Sequence, residues 1–265
     1  MTLKLCDFRG DWALVTGASS GLGKEFARQL GAMGMNVVLT ARRGELLEET
    51  ALDIEQVHGV QTKALVEDLS DPGAPARIKK TLSDEGINIR LLCNNAGMGR
   101  WGRFEDGAGE DYQRMIQVNV TAPILLCRLF LEDLARHASS LIINVSSGAA
   151  YQPVPYMAAY AASKASLHQF SQALYGEWLS RGVLVKTFVP GPADTEFDEK
   201  AGAYESAIQD RASAVAMVQA ALAGLGDDKP LIVAAKGTWM QRLFAGIFPS
   251  AMVIRQVGKM FRPPA

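Results

Sequence analysis

The sequence predicts an α/β fold, a single Rossmann-type doubly wound parallel sheet with helices on both faces. Three observations carry that expectation. Short β-branched apolar runs alternate with longer helical patterns along most of the 265 residues. The connections are crossovers of roughly 10–25 residues, too long for hairpins and right for parallel neighbours. A glycine-rich turn also sits where the first run ends and the first helix begins, the usual place for a phosphate in such folds.

The runs follow in order. "WALVTG" (12–17) reads as the first strand, and residues 22–34 as a helix with Phe26, Leu30 and Met33 inward. "NVVLTA" (36–41) is the second strand, followed by a charged helix over about 43–58. Further strands are expected at "QTKALV" (61–66), "RLLCNN" (90–95), "LIINVS" (141–146), "LVKTFV" (184–189) and "PLIVA" (230–234). Helices are expected near 74–85, 109–137 and 157–180. No repeat, low-complexity tract or linker interrupts the pattern. Residues 1–265 are therefore read as one domain, with a core at 10–195 and a substrate loop and amphipathic tail at 196–265.

Bulk properties narrow the function classes. A formal charge of −1 offers no basic face for nucleic acid. Cys6, Cys93 and Cys127 lack pairing or metal-ligand spacing, and His58, His137 and His168 lack ligand spacing too, so neither a disulfide framework nor a metal site is expected. No signal peptide and no apolar run of about 18 residues is apparent, which makes the cytoplasm the expected compartment.

In "TGASSGLG" (16–23), Gly17 permits the turn, Gly21 the approach of a pyrophosphate, and Gly23 close helix–strand packing. The spacing is G-x-x-x-G-x-G rather than G-x-G-x-x-G. In "YAASK" (160–164), Lys164 lies one helical turn past Tyr160 on the same face. A phenol titrates near 10 in water, and a neighbouring cation is the means of lowering it, as a general acid requires. At the end of the second strand stands Ala41, where a carboxylate would bind the ribose 2′-OH of NAD, and Arg42 and Arg43 follow. This predicts NADP(H), preferred over NAD(H), with Arg42 as the main phosphate contact and Ser19 or Ser20 assisting.

The glycine loop, "DL" (68–69), "NNAG" (94–97), "VNV" around Asn119, "VSS" before "YAASK", and "PGPADT" (190–195) together resemble the short-chain dehydrogenase/reductase family. The match covers about residues 10–195, in the family's order. The resemblance implies hydride transfer between a nicotinamide cofactor and a carbonyl or alcohol carbon. It implies a catalytic set of Asn119, Ser147, Tyr160 and Lys164. Ser147 is selected over Ser146 because the family's serine lies thirteen residues before the tyrosine. Lys164 would also hold the nicotinamide ribose, and Asn119 would bend its helix and hold a water. Cofactor contacts are implied for Leu22 in the glycine loop, for Asp68 and Leu69 at the adenine, for Asn95, Ala96 and Gly97 below it, and for Pro190, Gly191 and Thr195 near the nicotinamide. Extra Pro192 departs from the common pattern and bears on the Thr195 contact. A homodimer or homotetramer through helices near 121–137 and 157–180 is also implied.

The stretch 193–215 and the tail are expected to shape the substrate site. Residues 229–265 hold six Lys or Arg and no Asp or Glu, interleaved with large apolar residues that include Trp239. Such a segment packs over the pocket or a neighbouring subunit, or lies through 238–262 on a membrane surface or an acidic partner. The leading functional reading is reduction of a hydrophobic ketone or 3-oxoacyl group with Tyr160 as general acid. An alcohol or sugar dehydrogenase running oxidatively, and a non-catalytic NADP-binding sensor or scaffold, are the alternatives.

Overall fold

Parallel strands whose side chains are buried on both faces organise the molecule. In the computed structural model the described residues are 5–202, 211–234 and 236–263, and the side chains of residues 5, 6, 236, 238 and 239 are not included. Residues 203–210 of the expected substrate-shaping stretch, and the side chains of Cys6 and Trp239, therefore lie outside the described residues.

The chain runs β1 (Trp12–Thr16), α1 (Gly21–Ala32), β2 (Asn36–Ala41), α2 (Gly44–His58), β3 (Thr62–Val66), α3 (Ala74–Asp84) and β4 (Ile89–Asn94). It continues through α4 (Gly109–Ile116), α5 (Ala122–Ala135), β5 (Ser140–Val145), α6 (Ala158–Trp178) and β6 (Val183–Val189). Then follow β7 (Ala193–Asp194), α7 (Phe197–Lys200), β8 (Ala212–Ser213), α8 (Ala214–Ala223), β9 (Leu231–Val233), α9 (Lys236–Ile247) and α10 (Ser250–Met260). Seven strands pair in parallel in the order β3-β2-β1-β4-β5-β6-β9, and β7 with β8 forms a separate small pair. Strand order reverses between β1 and β4, which opens a crevice at their carboxyl ends.

Alternation decides which side chains face which helical layer. Val15, Leu91, Ile143 and Phe188 meet Phe26 and Leu30 of α1 on one face. Leu14, Leu92, Ile142 and Val185 meet Leu126, Phe130 and Leu134 of α5 on the other. A buried polar chain ties α6 to the sheet: Asn94 Nδ2 donates to Asn144 Oδ1 (2.8 Å), and Asn144 Nδ2 donates to Ser171 Oγ (2.8 Å). These bonds cross β4, β5 and α6 and fix the height of α6 above the site.

Two expectations need correction. The helix through 109–135 is, by length and composition, apolar enough to cross a bilayer, although no such run was expected. Its Leu126, Phe130 and Leu134 instead pack against the sheet, so it is a core helix. The expected 109–137 helix is also interrupted by a π-turn at Gln117–Thr121, centred on Asn119. The sequence reading did not place α8, while the tail breaks at Pro249, as its proline leads one to expect, into α9 and α10.

Phe26 is fully buried and meets Phe188 edge-to-face, with centroids 5.9 Å apart. Phe26→Ala is expected to destabilise the fold by about 3–5 kcal/mol. Urea unfolding should show the midpoint falling at an unchanged slope.

Candidate active site

The site begins where β1 stops. Thr16 Oγ1 accepts from the backbone N–H of both Asn95 and Ala96 (3.0 Å each), and Asn95 Nδ2 donates to Thr16 O (2.9 Å). The two strand ends are thereby clamped together. Gly17 and Gly21 have φ of +68° and +54°. A Cβ on Gly17 would lie 2.9 Å from Ala96 Cα, and one on Gly23 would lie 2.2 Å from Gly17 O. The loop thus presents bare backbone toward the crevice, and Ser20 at the N-cap of α1 makes no side-chain cap bond that would take the first amides.

From this loop a cleft of about 1100 Å³ runs across the strand ends to the C-terminal helices. It brings together nearly all the sequence-predicted residues. Ser19, Ser20, Leu22, Arg42, Asp68 and Leu69 line one end; Asn95, Ala96 and Gly97 lie in the middle; Ser147, Tyr160, Lys164, Pro190, Gly191 and Thr195 follow. Asp68 Oδ1 accepts from Ser70 N (2.9 Å), an Asx turn that points the chain along the cleft wall. Thr195 sits against Gly21, where a Cβ would come within 3.2 Å of it. Gly23 and Asn119 stand behind the wall rather than in it. Asn119 is fully buried: its Oδ1 accepts from Met98 N (2.9 Å) and its Nδ2 donates to Met98 O (2.8 Å) and Ser163 Oγ (2.9 Å). The π-turn is what aims this amide at Met98, since one extra residue per turn rotates the side chain out of register.

Ser146 and Ser147 divide as strand geometry requires. Ser146 Oγ is buried and donates to Lys164 O (3.1 Å), while Ser147 faces the cleft and accepts from Ala149 N (3.2 Å). Lys164 Nζ donates to Val145 O (2.9 Å), at the end of β5, and lies 5.9 Å from the Tyr160 ring centroid. Among the described residues this is its one hydrogen bond, so two ammonium protons remain for groups in the cleft.

Burial governs the electrostatics of the pair. Desolvation pushes the Lys164 amine down to about 8. The Tyr160 phenol is pushed up to about 12, mainly by burial, with Ser147 pulling it down and the Asp198 carboxylate adding to the rise. Helical spacing led to the expectation that Lys164 lowers the phenol; its burial instead raises it.

Four residues at the site escaped the sequence reading. Arg43, not Arg42, contacts the loop: its Nη2 donates to Ser20 Oγ (2.6 Å) and Ser19 Oγ (3.3 Å). Arg42 is exposed on the rim of the same cleft. Glu196 pairs with Arg43 (3.0 Å). Phe197 packs on Tyr160 with centroids 5.5 Å apart, and Asp198 pairs with Arg211 (3.1 Å). Nothing in the spacing of 196–198 marks them, because their contacts depend on how the chain turns after β6.

Parallel topology, a glycine crevice at the switch point and a buried Tyr–Lys pair beside a cleft-facing serine define a doubly wound α/β architecture of the nucleotide-binding type. The chain belongs to the short-chain dehydrogenase family, whose model, described as "short chain dehydrogenase", matches residues 11–206. It is 36% identical over 186 residues to the very-long-chain 3-oxoacyl-CoA reductase of Anas platyrhynchos, covering 68% of this chain and 59% of that one. It is likewise 36% identical over 184 residues to the 17-beta-hydroxysteroid dehydrogenase type 3 of Mus musculus, with the same coverage, 68% and 59%. The chain thus matches about 59% of the length of these relatives. Among solved structures, a short-chain dehydrogenase from Sphingobium yanoikuyae in complex with NADPH superposes with a TM-score of 0.81, at 28% identity over 96% of each chain.

Asp198 disfavours the Tyr160 phenolate, so Asp198→Asn is expected to move that phenol's titration to lower pH. An alkaline ultraviolet titration, differenced against the same variant carrying Tyr160→Phe, isolates this one of the six tyrosines. An unmoved or raised titration would remove Asp198 from the electrostatics of the site.

Proposed function

We propose that this chain is an NADP(H)-dependent oxidoreductase that reduces a hydrophobic ketone or 3-oxoacyl group to the alcohol. The observation that carries the reading is one apolar cleft with the glycine loop at one end and Ser147, Tyr160 and Lys164 further along it. The residues fit a dinucleotide. The bare backbone at Gly17 and Gly21 leaves room for a pyrophosphate against the first amides of α1. The nicotinamide, when bound, supplies the hydride to the carbonyl carbon.

The chain's own residues do the rest. Ser147 would donate its hydroxyl hydrogen to the carbonyl oxygen and orient it. Tyr160 would give its proton to that oxygen as negative charge develops there. A phenol held near 12 is fully protonated at neutral pH, which suits an acid, and Lys164, 5.9 Å from the ring centroid, would stabilise the phenolate left behind. The two free donors of Lys164 suit ribose hydroxyls, and Asn119 holds the Met98 backbone that forms the wall opposite. Met98, Trp101, Val154, Met157, Phe244 and Val257 make the substrate end apolar, in keeping with the relatives named for acyl and steroid chemistry.

For the cofactor, Ala41 places no carboxylate at the ribose, and Arg43 is already held toward the loop by two serines, with Arg42 beside it. A phosphate monoester is the group such a guanidinium favours. Fluorescence titration should show NADPH binding more tightly than NADH, and Arg43→Gln should erase most of that difference. Tyr160→Phe should keep NADPH binding and lose about 10²–10⁴ in turnover of a lipid-like ketone. Preference for NADH would overturn the cofactor assignment, and binding without turnover of any carbonyl or alcohol would overturn the enzyme.

We propose further that α9 and α10 rest on an anionic bilayer, from the cytoplasmic side. Met240, Leu243 and Ile247 are 71%, 53% and 66% exposed and recur along one stripe of α9. Arg242, Arg255, Lys259 and Arg262 accompany them without a carboxylate. Two copies meeting through this face would bring like charges together, which disfavours self-association there and leaves α5 and α6 as the faces for any dimer or tetramer. The full chain should co-sediment with vesicles of phosphatidylcholine containing phosphatidylserine, less so at high salt, and Leu243→Glu with Ile247→Glu should abolish it. A wild-type chain left in the supernatant, or a double variant that is released from a dimer, would overturn the assignment.

A further inference from the structure

The guanidinium best placed for a cofactor phosphate is occupied by the protein's own carboxylate. Arg43 leaves the N-cap of α2, crosses to Ser19 and Ser20, and meets Glu196 Oε2 at 3.0 Å. Glu196 comes from the far wall of the cleft, in the segment after β6, and also pairs with Lys200 one turn on. These two cations hold its carboxyl down at about 2, with Lys200 the larger influence. It is therefore an anion at every physiological pH.

The same short segment reaches the substrate end. Phe197 lies on the Tyr160 ring and also fills the space over Gly99, where a Cβ would come within 2.9 Å of its ring. Asp198, paired with Arg211, acts on the Tyr160 phenol. One run of three residues thus clasps the nucleotide end through Glu196 and covers the reactive tyrosine through Phe197. A phosphate dianion and a carboxylate cannot both sit on Arg43 without strong mutual repulsion, so one must leave.

We propose that Glu196 is an internal stand-in for the 2′-phosphate of NADP(H), and that the phosphate displaces it from Arg43 and moves Phe197 off Tyr160. Glu196 is then a specificity-determining residue. It weakens binding of the phosphorylated cofactor by competition, and it couples arrival of that cofactor to opening of the substrate end. Lys200, already paired with the same carboxylate and carried on the same segment, keeps its charge compensated after it leaves Arg43. The inference rests on the NADP(H) reading, and its test separates the two.

The probes are NADPH, NADH, 2′-AMP and 5′-AMP, titrated by calorimetry against the full chain and the Glu196→Gln variant. Glu196→Gln should tighten NADPH and 2′-AMP by about two- to fivefold, the range of an exposed ion pair, and leave NADH and 5′-AMP unchanged. Limited proteolysis after Lys200 should become faster when 2′-AMP is added to the wild type and stay the same with 5′-AMP. Arg43→Gln should weaken NADPH and 2′-AMP and remove the effect of Glu196→Gln. If Arg43→Gln costs NADPH affinity while Glu196→Gln changes nothing, the clasp is wrong and the cofactor reading stands. If neither variant separates NADPH from NADH, the cofactor reading has failed as well.

Discussion

The clamp between Thr16 and Asn95 is the constraint on which the site depends. Four hydrogen bonds of Thr16, to Cys93, Asn95 and Ala96, join the ends of β1 and β4, the pair at which strand order reverses. The helices that follow these strands leave on opposite faces of the sheet, so a crevice opens between them. Without the clamp the crevice would be a frayed sheet edge. With it, Gly17 and Gly23 are drawn so close to Asn95, Ala96 and the loop's own backbone that neither could carry a Cβ. Everything further along the cleft is registered against this point, from Ala96 and Gly97 to Lys164, whose Nζ lies 3.2 Å from where a Cβ of Gly97 would be.

A second constraint is the low polarity around the Tyr160–Lys164 pair. Tyr160 and Lys164 are 8% and 3% exposed, and that burial raises the phenol and lowers the amine, shifting each toward its neutral form while leaving the lysine mostly charged at neutral pH. Both shifts come from the same lack of water, and a polar guest in the cleft would alter both together. The lysine's hold on Val145 O keeps it in place meanwhile, because a buried ammonium with no acceptor would be costly.

Sequence and structure agree best where local pattern and packing point the same way. The second strand falls at Asn36–Ala41 as read, and the other six strands of the main sheet within a residue or two, the central ones being apolar runs buried on both faces; the short β7 and β8 carry no such run and were not read. The choice of Ser147 over Ser146 came from the family's spacing to the tyrosine, and the pleat accounts only for the two serines facing different ways. Arg43 was harder to read, since two adjacent arginines at a strand end look alike until the chain turns into α2 and swings one of them onto Ser20. Residues 196–198 carry no periodicity, and their roles arise from contacts with Arg43, Tyr160 and Arg211, which lie far away in the chain. The direction of the Tyr160 shift was missed for a related reason. Helical spacing places a cation beside the phenol, but only the surrounding packing shows how little solvent reaches either.

The break at Pro249 has an architectural consequence. The cleft is roofed by α9 and α10, two short helices contributed by the last part of the chain, after β9 has completed the sheet. α10 is held by Val253 and Val257 against Trp101, Met115 and Met157, and by Trp101 Nε1 donating to Phe261 O (2.8 Å). Among the described residues its attachment is thus mainly an apolar patch, with the Trp101–Phe261 pair at its end, separate from the clamp, the glycine loop and the polar chain through Asn144. The roof is a module in the engineering sense. Exchanging residues after β9 for another sequence with the same anchoring face would reshape what the cleft admits while the floor stayed as it is.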